Sequence, residues 1–396
     1  MHALANAVDV ETRFSGQSQL EGCRDGHARQ KFAHPGRNHR YAGEIDLKIM
    51  NTIRLFGLSE MAWAGAFLMM MLTTADSQAS PAPTLANVPY GSDPRQVLDF
   101  WKAPSSTPAP VVFYIHGGGW LGGDKTGLDL TYKPDRYMAE GISVVSINYR
   151  FLKQTILTDK SVPLPVITPE KVASEEPPVV VPLHDAMRAL QFVRSKAAEW
   201  NIDKTRIGLS GGSAGGCTSL WLAFHRDMAD PASTDPVARE STRVWCAALS
   251  APQTTLDPQQ MKEWTPNSRY GGHAFGFAWD PKDIQSEFNH FLAQREVVLP
   301  WIERYSPYAL MTADAPPIYL YYAHGVPAYG KDQEDPTHTA NFGAILEEKA
   351  KTLGVECEFF YPGAPGVTHK TIGDFLIDRL KAPTQRIRQA APTGSP

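Results

Sequence analysis

The sequence is poor in cysteine, in excess positive charge and in long apolar runs. It has 4 cysteines in 396 residues, with no C-x-x-C pair and no cluster of cysteine with histidine, so no zinc site is predicted. One pair among Cys217, Cys246 and Cys357 could form a disulfide, and the sequence does not choose one. The formal net charge is -4, which does not favour nucleic acid or an anionic membrane as a partner.

The N-terminal region reads as a leader rather than as part of a folded domain. Residues 1–49 show little apolar periodicity, so we expect them to be disordered or to lie upstream of the true start. Residues 50–79 follow the layout of a secretory signal peptide. After Met50 come a basic residue, Arg54, then a short apolar run (61–72), and then small residues that end at Ala79. The run is short for a membrane span; an uncleaved anchor or a buried helix is the alternative. A secreted or periplasmic protein, with no span in the mature chain, is therefore expected.

After a Pro- and Ser-rich linker predicted at 80–95, strand and helix patterns alternate along the chain. Strands are predicted at 96–101, 111–115, 143–148, 206–210, 244–249, 318–323 and 356–361. Helices are predicted at 185–200 (with Asp185 as N-cap), 216–225, 341–353 and 372–380. This alternation predicts an α/β fold with a mostly parallel central sheet covered by helices on both faces. The catalytic domain is predicted over 96–385, followed by a disordered tail at 386–396.

Two stretches interrupt the alternation and are predicted to be insertions. Residues 151–182 carry many prolines and cannot form one long helix. Residues 256–305 are dense in aromatic side chains. This second insertion is interpreted as a lid or a wall of the acyl pocket, with an enlarged packed layer as the alternative.

A glycine-packed turn with Ser213 at its centre is the strongest local signal. Gly211, Ser213 and Gly215 form the pattern G-x-S-x-G between a predicted strand and a predicted helix. In such a turn the serine occupies a strained backbone conformation and exposes its hydroxyl. Ser213 is therefore the candidate nucleophile.

A second glycine-rich stretch, residues 116–120, follows a predicted buried strand. Its three consecutive glycines, Gly117, Gly118 and Gly119, carry an entropic cost that a purely structural role explains poorly. They allow bare N–H groups to approach a substrate oxygen closely. Together with the N–H of Ala214, they are the predicted oxyanion hole. An ordinary strand-to-loop turn is the alternative.

The general base is expected late in the chain. His369 lies in a loop after the last predicted strand, where the carboxyl ends of parallel strands collect functional residues. His324 and His338 are rivals, but neither follows the final strand. The prediction is therefore His369.

The acid that orients the base is expected after the strand ending near residue 323. Asp332, Glu334 and Asp335 all lie in that loop. Asp335 is preferred, because an acid near the start of the next helix can be held by free backbone N–H groups. Asp332 is kept as an alternative, and a solvated charge cluster is the interpretation of Asp332 and Glu334 if they are not catalytic.

These motifs resemble the α/β-hydrolase fold over about residues 95–385. The chain looks most like bacterial esterases and lipases related to hormone-sensitive lipase and to small secreted carbohydrate-acetyl and feruloyl esterases. The family order of serine, acid and histidine is matched by Ser213, Asp335 and His369, although the loop before Asp335 is longer than the usual spacing.

The resemblance implies a serine carboxylic-ester hydrolase that acts through an acyl-enzyme. The expected substrates are small or medium acyl esters, including acylated carbohydrates, with no cofactor and no metal. A serine peptidase of the same fold and a non-catalytic binding protein are the alternatives. The oligomeric state is not indicated.

Overall fold

The computed structural model describes residues 81–128, 133–154, 156, 164, 166–278, 280 and 283–383. The predicted leader segments at 1–49 and 50–79 and the tail at 386–396 lie outside the described residues and stay predictions. Within the described part of the chain, every helix falls short of the length and apolar character that crossing a membrane requires.

Eight strands form one sheet in the order β1-β2-β4-β3-β5-β6-β7-β8. They are β1 Leu85–Pro89, β2 Val97–Trp101, β3 Ala109–Ile115, β4 Ser143–Ile147, β5 Ile202–Gly212, β6 Cys246–Ser250, β7 Ile318–Tyr321 and β8 Cys357–Phe360. The pairs β1–β2 and β2–β4 are antiparallel, and all other neighbours are parallel. Strands β3 and β4 are buried along their whole length, and β5 is buried from Ile207 to Gly211, because both faces of the sheet are covered.

Helices alternate with the strands, as the sequence predicted. They are α1 Pro134–Ala139, α2 Pro169–Ser174, α3 Val180–Ser195, α4 Ala197–Trp200, α5 Ala214–Phe224, α6 Pro258–Trp264, α7 Ile284–Ala293, α8 Arg295–Tyr305, α9 Pro307–Leu310, α10 Asn341–Leu353 and α11 Ile372–Lys381. A 3₁₀ turn, Gly272–Phe275, lies between α6 and α7. The predicted helix at 341–353 is confirmed at both ends, and Gly354 stops it in the left-handed conformation with φ 70°.

Two predictions about the first half of the domain were wrong. The stretch predicted as a linker, 80–95, contains β1, which pairs with β2 at the sheet edge. The helix predicted at 185–200 begins earlier, at Val180, and breaks before Ala197. Asp185 is therefore not an N-cap. Asp185 lies within α3, and its buried carboxylate accepts a hydrogen bond from Arg150 at 2.7 Å. The carboxylate therefore forms an ion pair and does not cap the helix.

The aromatic insertion at 256–305 forms a packed layer. Its buried side chains join the same apolar cluster as the sheet; they include Trp264, Phe275, Phe277, Phe288, Phe291, Trp301 and Tyr305. The enlarged packed layer thus describes these residues better than a lid does. The three described cysteines, Cys217, Cys246 and Cys357, are free thiols, so no pair among them is bridged.

Candidate active site

The turn at Ser213 has the geometry that the glycine pattern predicts. β5 ends at Gly212 and α5 begins at Ala214, so a single residue makes the reversal. Ser213 has φ 52° and ψ -125°, a conformation that non-glycine residues rarely adopt. A Cβ on Gly215 would lie 2.1 Å from the carbonyl oxygen of Ile115, so only glycine allows α5 to pass this close to β3. The turn is held by a hydrogen bond from the Ser213 N–H to Ser250 O at 3.0 Å.

The Ser213 hydroxyl contacts an imidazole, and that imidazole contacts a carboxylate. Ser213 Oγ lies 2.9 Å from His338 Nε2, and His338 Nδ1 lies 2.7 Å from Asp335 Oδ2. The loop after β7 carries both the carboxylate and the imidazole, only three positions apart. In this arrangement Asp335 accepts a proton donated by Nδ1, which leaves Nε2 free to accept the serine proton.

Asp335 also organises the turn that presents the imidazole. Its Oδ1 accepts hydrogen bonds from the N–H groups of Thr337 at 3.0 Å and His338 at 3.3 Å. Partial burial by itself would raise the pKa of Asp335, but the hydrogen bonds from the imidazole and these two N–H groups outweigh it. The pKa of Asp335 is therefore lowered below its ordinary value. Asp335 does not cap α10, as the sequence had suggested; it caps its own four-residue turn.

The triple-glycine loop lies directly beside the serine. A Cβ on Gly117 would be 2.8 Å from Gly212 O and 3.4 Å from the Ser213 Cβ, so the absence of a side chain permits this close packing. Gly118 and Gly119 have φ values of 107° and 62°. Their N–H groups donate no hydrogen bond to any other described residue, and the first N–H of a helix such as that of Ala214 has no intrahelical acceptor. Among the described residues, N–H groups without an acceptor thus lie in the loop beside the serine and at the residue that follows it.

Buried side chains on either side hold this loop in place. Trp120, fully buried with φ 59°, donates from its indole to Thr218 Oγ1 on α5 at 2.9 Å. His116 stacks on Tyr149 with ring centroids 4.2 Å apart. Burial lowers the pKa of His116 to about 4, so its imidazole is neutral near neutral pH. The loop is thus fixed to the same helix that follows Ser213.

The family of the chain follows from residues around this serine. Residues 98–161 and 165–325, more than half of the chain, match the BD-FAE family. The chain belongs to the BD-FAE family. The match contains Ser213 and the triple-glycine loop but ends before Asp335 and His338.

Curated relatives of this BD-FAE protein include two mycobacterial enzymes. The esterase LipI of Mycobacterium tuberculosis is 31% identical over 135 residues, which cover 33% of this chain and 35% of LipI. The carboxylesterase NlhH of the same species is 33% identical over 135 residues, covering 33% of this chain and 34% of NlhH. The chain thus spans about a third of the length of these relatives.

Solved structures resemble the fold. The bifunctional GH43-CE of Bacteroides eggerthii superposes with a TM-score of 0.50 at 16% identity, covering 75% of this chain and 38% of that one. A truncated carbohydrate esterase from gut microbiota has a TM-score of 0.49 at 17% identity, covering 77% of this chain and 99% of that one. This BD-FAE protein has the α/β-hydrolase fold, with the mostly parallel sheet that the sequence predicted.

The structure does not bring the predicted base, His369, to Ser213. His369 Nδ1 lies 2.7 Å from Glu358 Oε2, and the His369 N–H donates to Glu358 Oε1 at 2.5 Å. Its carbonyl accepts from the hydroxyl of Tyr319 at 2.9 Å, and its ring contacts Phe375 edge-on at 5.4 Å. The choice of His369 over His338 was therefore wrong for the contact with Ser213, because Glu358 on β8 already holds the imidazole.

The other candidates of the β7 loop are placed at the surface. His324, Asp332 and Glu334 are exposed, whereas Asp335 is the carboxylate that contacts the serine-bound imidazole. His338 is the residue that sequence reasoning passed over. A signal for it exists: the spacing of three residues in Asp335-Pro336-Thr337-His338 allows one carboxylate to bind the turn N–H groups and the ring together.

Proposed function

We propose that this BD-FAE protein is a serine carboxylic-ester hydrolase whose triad is Ser213, His338 and Asp335. The observation that carries the proposal is the continuous hydrogen-bonded path from Ser213 Oγ through His338 to Asp335, with distances of 2.9 and 2.7 Å. The names of LipI and NlhH, an esterase and a carboxylesterase, favour an ester rather than an amide as the bond that is cleaved.

The reaction begins when Ser213 Oγ attacks the ester carbonyl carbon. His338 Nε2 takes the hydroxyl proton as the C–O bond forms, and Asp335 stabilises the resulting imidazolium through Nδ1. The tetrahedral intermediate collapses as Nε2 returns the proton to the departing alcohol. A water molecule, deprotonated by the same nitrogen, then attacks the acyl-enzyme and releases the acid.

The oxyanion hole that we propose is formed by the N–H groups of Ala214 and of the triple-glycine loop, Gly117, Gly118 and Gly119. These donors are fixed before the reaction, since Trp120 ties the loop to α5 and Ser213 begins that helix. One such donor is typically worth about 3–4 kcal/mol in the transition state. No cofactor takes part in these steps.

We propose small or medium acyl esters as substrates, including acyl groups carried by carbohydrates. The direct test is hydrolysis of nitrophenyl esters from acetate to palmitate by the purified protein. We expect turnover of the short esters, a loss of at least about a thousandfold in Ser213→Ala, and unchanged turnover in Ser195→Ala, which alters an exposed serine on α3. Equal turnover by wild type and Ser213→Ala would contradict the proposal. Cleavage of peptide nitroanilides in preference to esters would favour a peptidase.

A further inference from the structure

The acid and the base of this site share one loop, so the position of that loop decides whether the site is assembled. Residues 322–340 connect β7 to α10 and carry both Asp335 and His338. Both side chains are substantially exposed, with 59% and 39% of their surface accessible. Packing around the two side chains therefore does little to hold them. The backbone of the loop has to be fixed by other residues.

Two carboxamide side chains from other parts of the fold hold that backbone on either side of the pair. Gln253, which follows β6, donates from Nε2 to the carbonyl oxygen of Thr337 at 2.8 Å. Asn267, in the aromatic insertion, donates from Nδ2 to Gln333 O at 2.7 Å and accepts from the Gln333 N–H at 3.1 Å. One contact thus lies next to His338 and the other lies two residues before Asp335.

The surroundings of Gln253 suit a positioning role. Its side chain is fully buried, and its Oε1 has no hydrogen-bond partner among the described residues. A buried carboxamide with an unpaired oxygen costs free energy, which an apolar side chain would avoid. Gln253 also lies three residues after Ser250, whose carbonyl holds the N–H of Ser213. It therefore connects the serine turn to the histidine turn.

The Asn267 contact gives the insertion a role beyond packing. The side-chain amide pairs with both the N–H and the C=O of one residue, as a neighbouring strand would, and this fixes the direction as well as the distance of the backbone. Asn341, buried at the start of α10, donates to Trp264 O at 2.9 Å. It thereby fastens the end of the loop to the same insertion.

We propose that Gln253 and Asn267 are positioning residues for residues 333–338, the segment that carries the acid and the histidine. Through Asn267, the aromatic insertion then acts as a clamp that holds this segment in place. The proposal rests on the proposed triad. It predicts that loss of either contact lowers kcat, because His338 Nε2 departs from the Ser213 hydroxyl, while substrate affinity is kept. A shift of about 1 Å in a reacting group can cost about a hundredfold in rate.

The decisive variant is Gln253→Met, which keeps the length of the side chain and removes the Nε2 donor together with the unpaired Oε1. Its matched control is Gln191→Met on α3, since Gln191 is also a buried glutamine that donates to backbone carbonyls, those of Ala238 and Glu240. We expect kcat on a nitrophenyl ester to fall at least about tenfold in Gln253→Met with KM within about twofold, and kcat to stay at the wild-type value in Gln191→Met.

The second variant is Asn267→Ala, with Asn289→Ala, an exposed asparagine of the same insertion, as its control. The same split between kcat and KM is expected. The rate at which a fluorophosphonate labels Ser213 should fall in parallel with kcat, and thermal unfolding should show that each variant is folded. Wild-type kcat and labelling rate in both variants would overturn the proposal, as would a fall in kcat that the two controls share.

Failure of the proposed function gives a different result. A wild-type protein that hydrolyses none of the esters would count against the hydrolase proposal. The clamp would then be judged by the labelling rate of Ser213 alone, which needs the serine–histidine contact but no turnover.

Discussion

Among the described residues, two carboxylate–imidazole pairs have the same short oxygen–nitrogen distance, and their surroundings differ. In one, Asp335 holds His338 against Ser213; in the other, Glu358 holds His369 against Tyr319 and Phe375. Both have an oxygen–nitrogen distance of 2.7 Å. The side chains of the first pair are 59% and 39% exposed, and those of the second are 17% and 12% exposed. The length of the contact therefore does not distinguish the proposed catalytic pair from the other one. The group beside the second ring nitrogen does.

The second ring nitrogen separates the two pairs. Nε2 of His338 lies 2.9 Å from the Ser213 hydroxyl, whereas Nε2 of His369 lies 3.7 Å from Asp378 Oδ2. An imidazole between two carboxylates has no serine proton to accept. It fastens the loop before α11 to the edge strand β8, so we assign it to stability.

The largest expected effect separates the two histidines by activity. We predict that His338→Gln lowers kcat/KM for a nitrophenyl ester by at least about a thousandfold, because the serine proton loses its acceptor. His369→Gln should stay within about twofold of wild type, since its ring contacts neither the serine nor the glycine loop. Steady-state kinetics check this. Comparable losses in the two variants would contradict the assignment of different roles to the two histidines.

Loss of the carboxylate should lower kcat at Asp335 and not at Glu358, in line with the two histidines. Asp335→Asn removes the charge that stabilises the imidazolium, and we expect kcat to fall by about ten- to a hundredfold. The effect is smaller than for a buried triad acid, because water reaches this exposed pair. Glu358→Gln should leave kcat unchanged. A loss of kcat in Glu358→Gln with retention in Asp335→Asn would move the acid to β8.

Much of this site was predictable because its motifs are local. The strained turn at Ser213 and the triple-glycine loop each need small residues at adjacent positions, and both lie as predicted. The histidine could not be predicted in the same way. His338 and His369 both lie in loops after parallel strands, and only the path of each loop in space decides which ring reaches Ser213. The partner of His369, Glu358, lies inside a strand, and nothing in its sequence neighbours marks it as a histidine ligand.

Stability should respond in the opposite order to activity. His369→Ala removes the imidazole that contacts Oε2 of the mostly buried Glu358 carboxylate and keeps only the backbone N–H on Oε1. We expect a loss of about 1–3 kcal/mol in the free energy of unfolding. His338→Ala should change it by at most about 0.5 kcal/mol, as is usual for exposed positions. Urea denaturation of both variants measures the difference. A larger loss in His338→Ala would contradict the division of roles.

His116, which pairs with no carboxylate among the described residues, provides a reference for the other two histidines. Burial lowers its pKa to about 4 in the folded protein, against about 6.5 in an unfolded chain. Between these values the unfolded state binds more protons, so the free energy of unfolding should fall as the pH falls from about 6.5 to 4. The slope from this group is at most about 1.4 kcal/mol per pH unit.

Urea denaturation across this range tests the prediction. In His116→Gln the dependence of the free energy of unfolding on pH should be weaker than in wild type, by up to about 1.4 kcal/mol per pH unit, which corresponds to one proton. An unchanged slope would show that His116 is protonated equally in the folded and unfolded protein, and that its burial beside the glycine loop does not hold it neutral.

In the proposed triad His338, and not His369, receives the proton of Ser213. The most direct test of this assignment is the proton NMR spectrum of the stable adduct that a phosphonate forms with Ser213, in which the imidazole beside the adduct is protonated and its Nδ1 proton is held by a carboxylate. We predict that the low-field resonance that appears on adduct formation is retained in His369→Gln with unchanged position. Disappearance of this resonance in His369→Gln would show that His369 receives the proton.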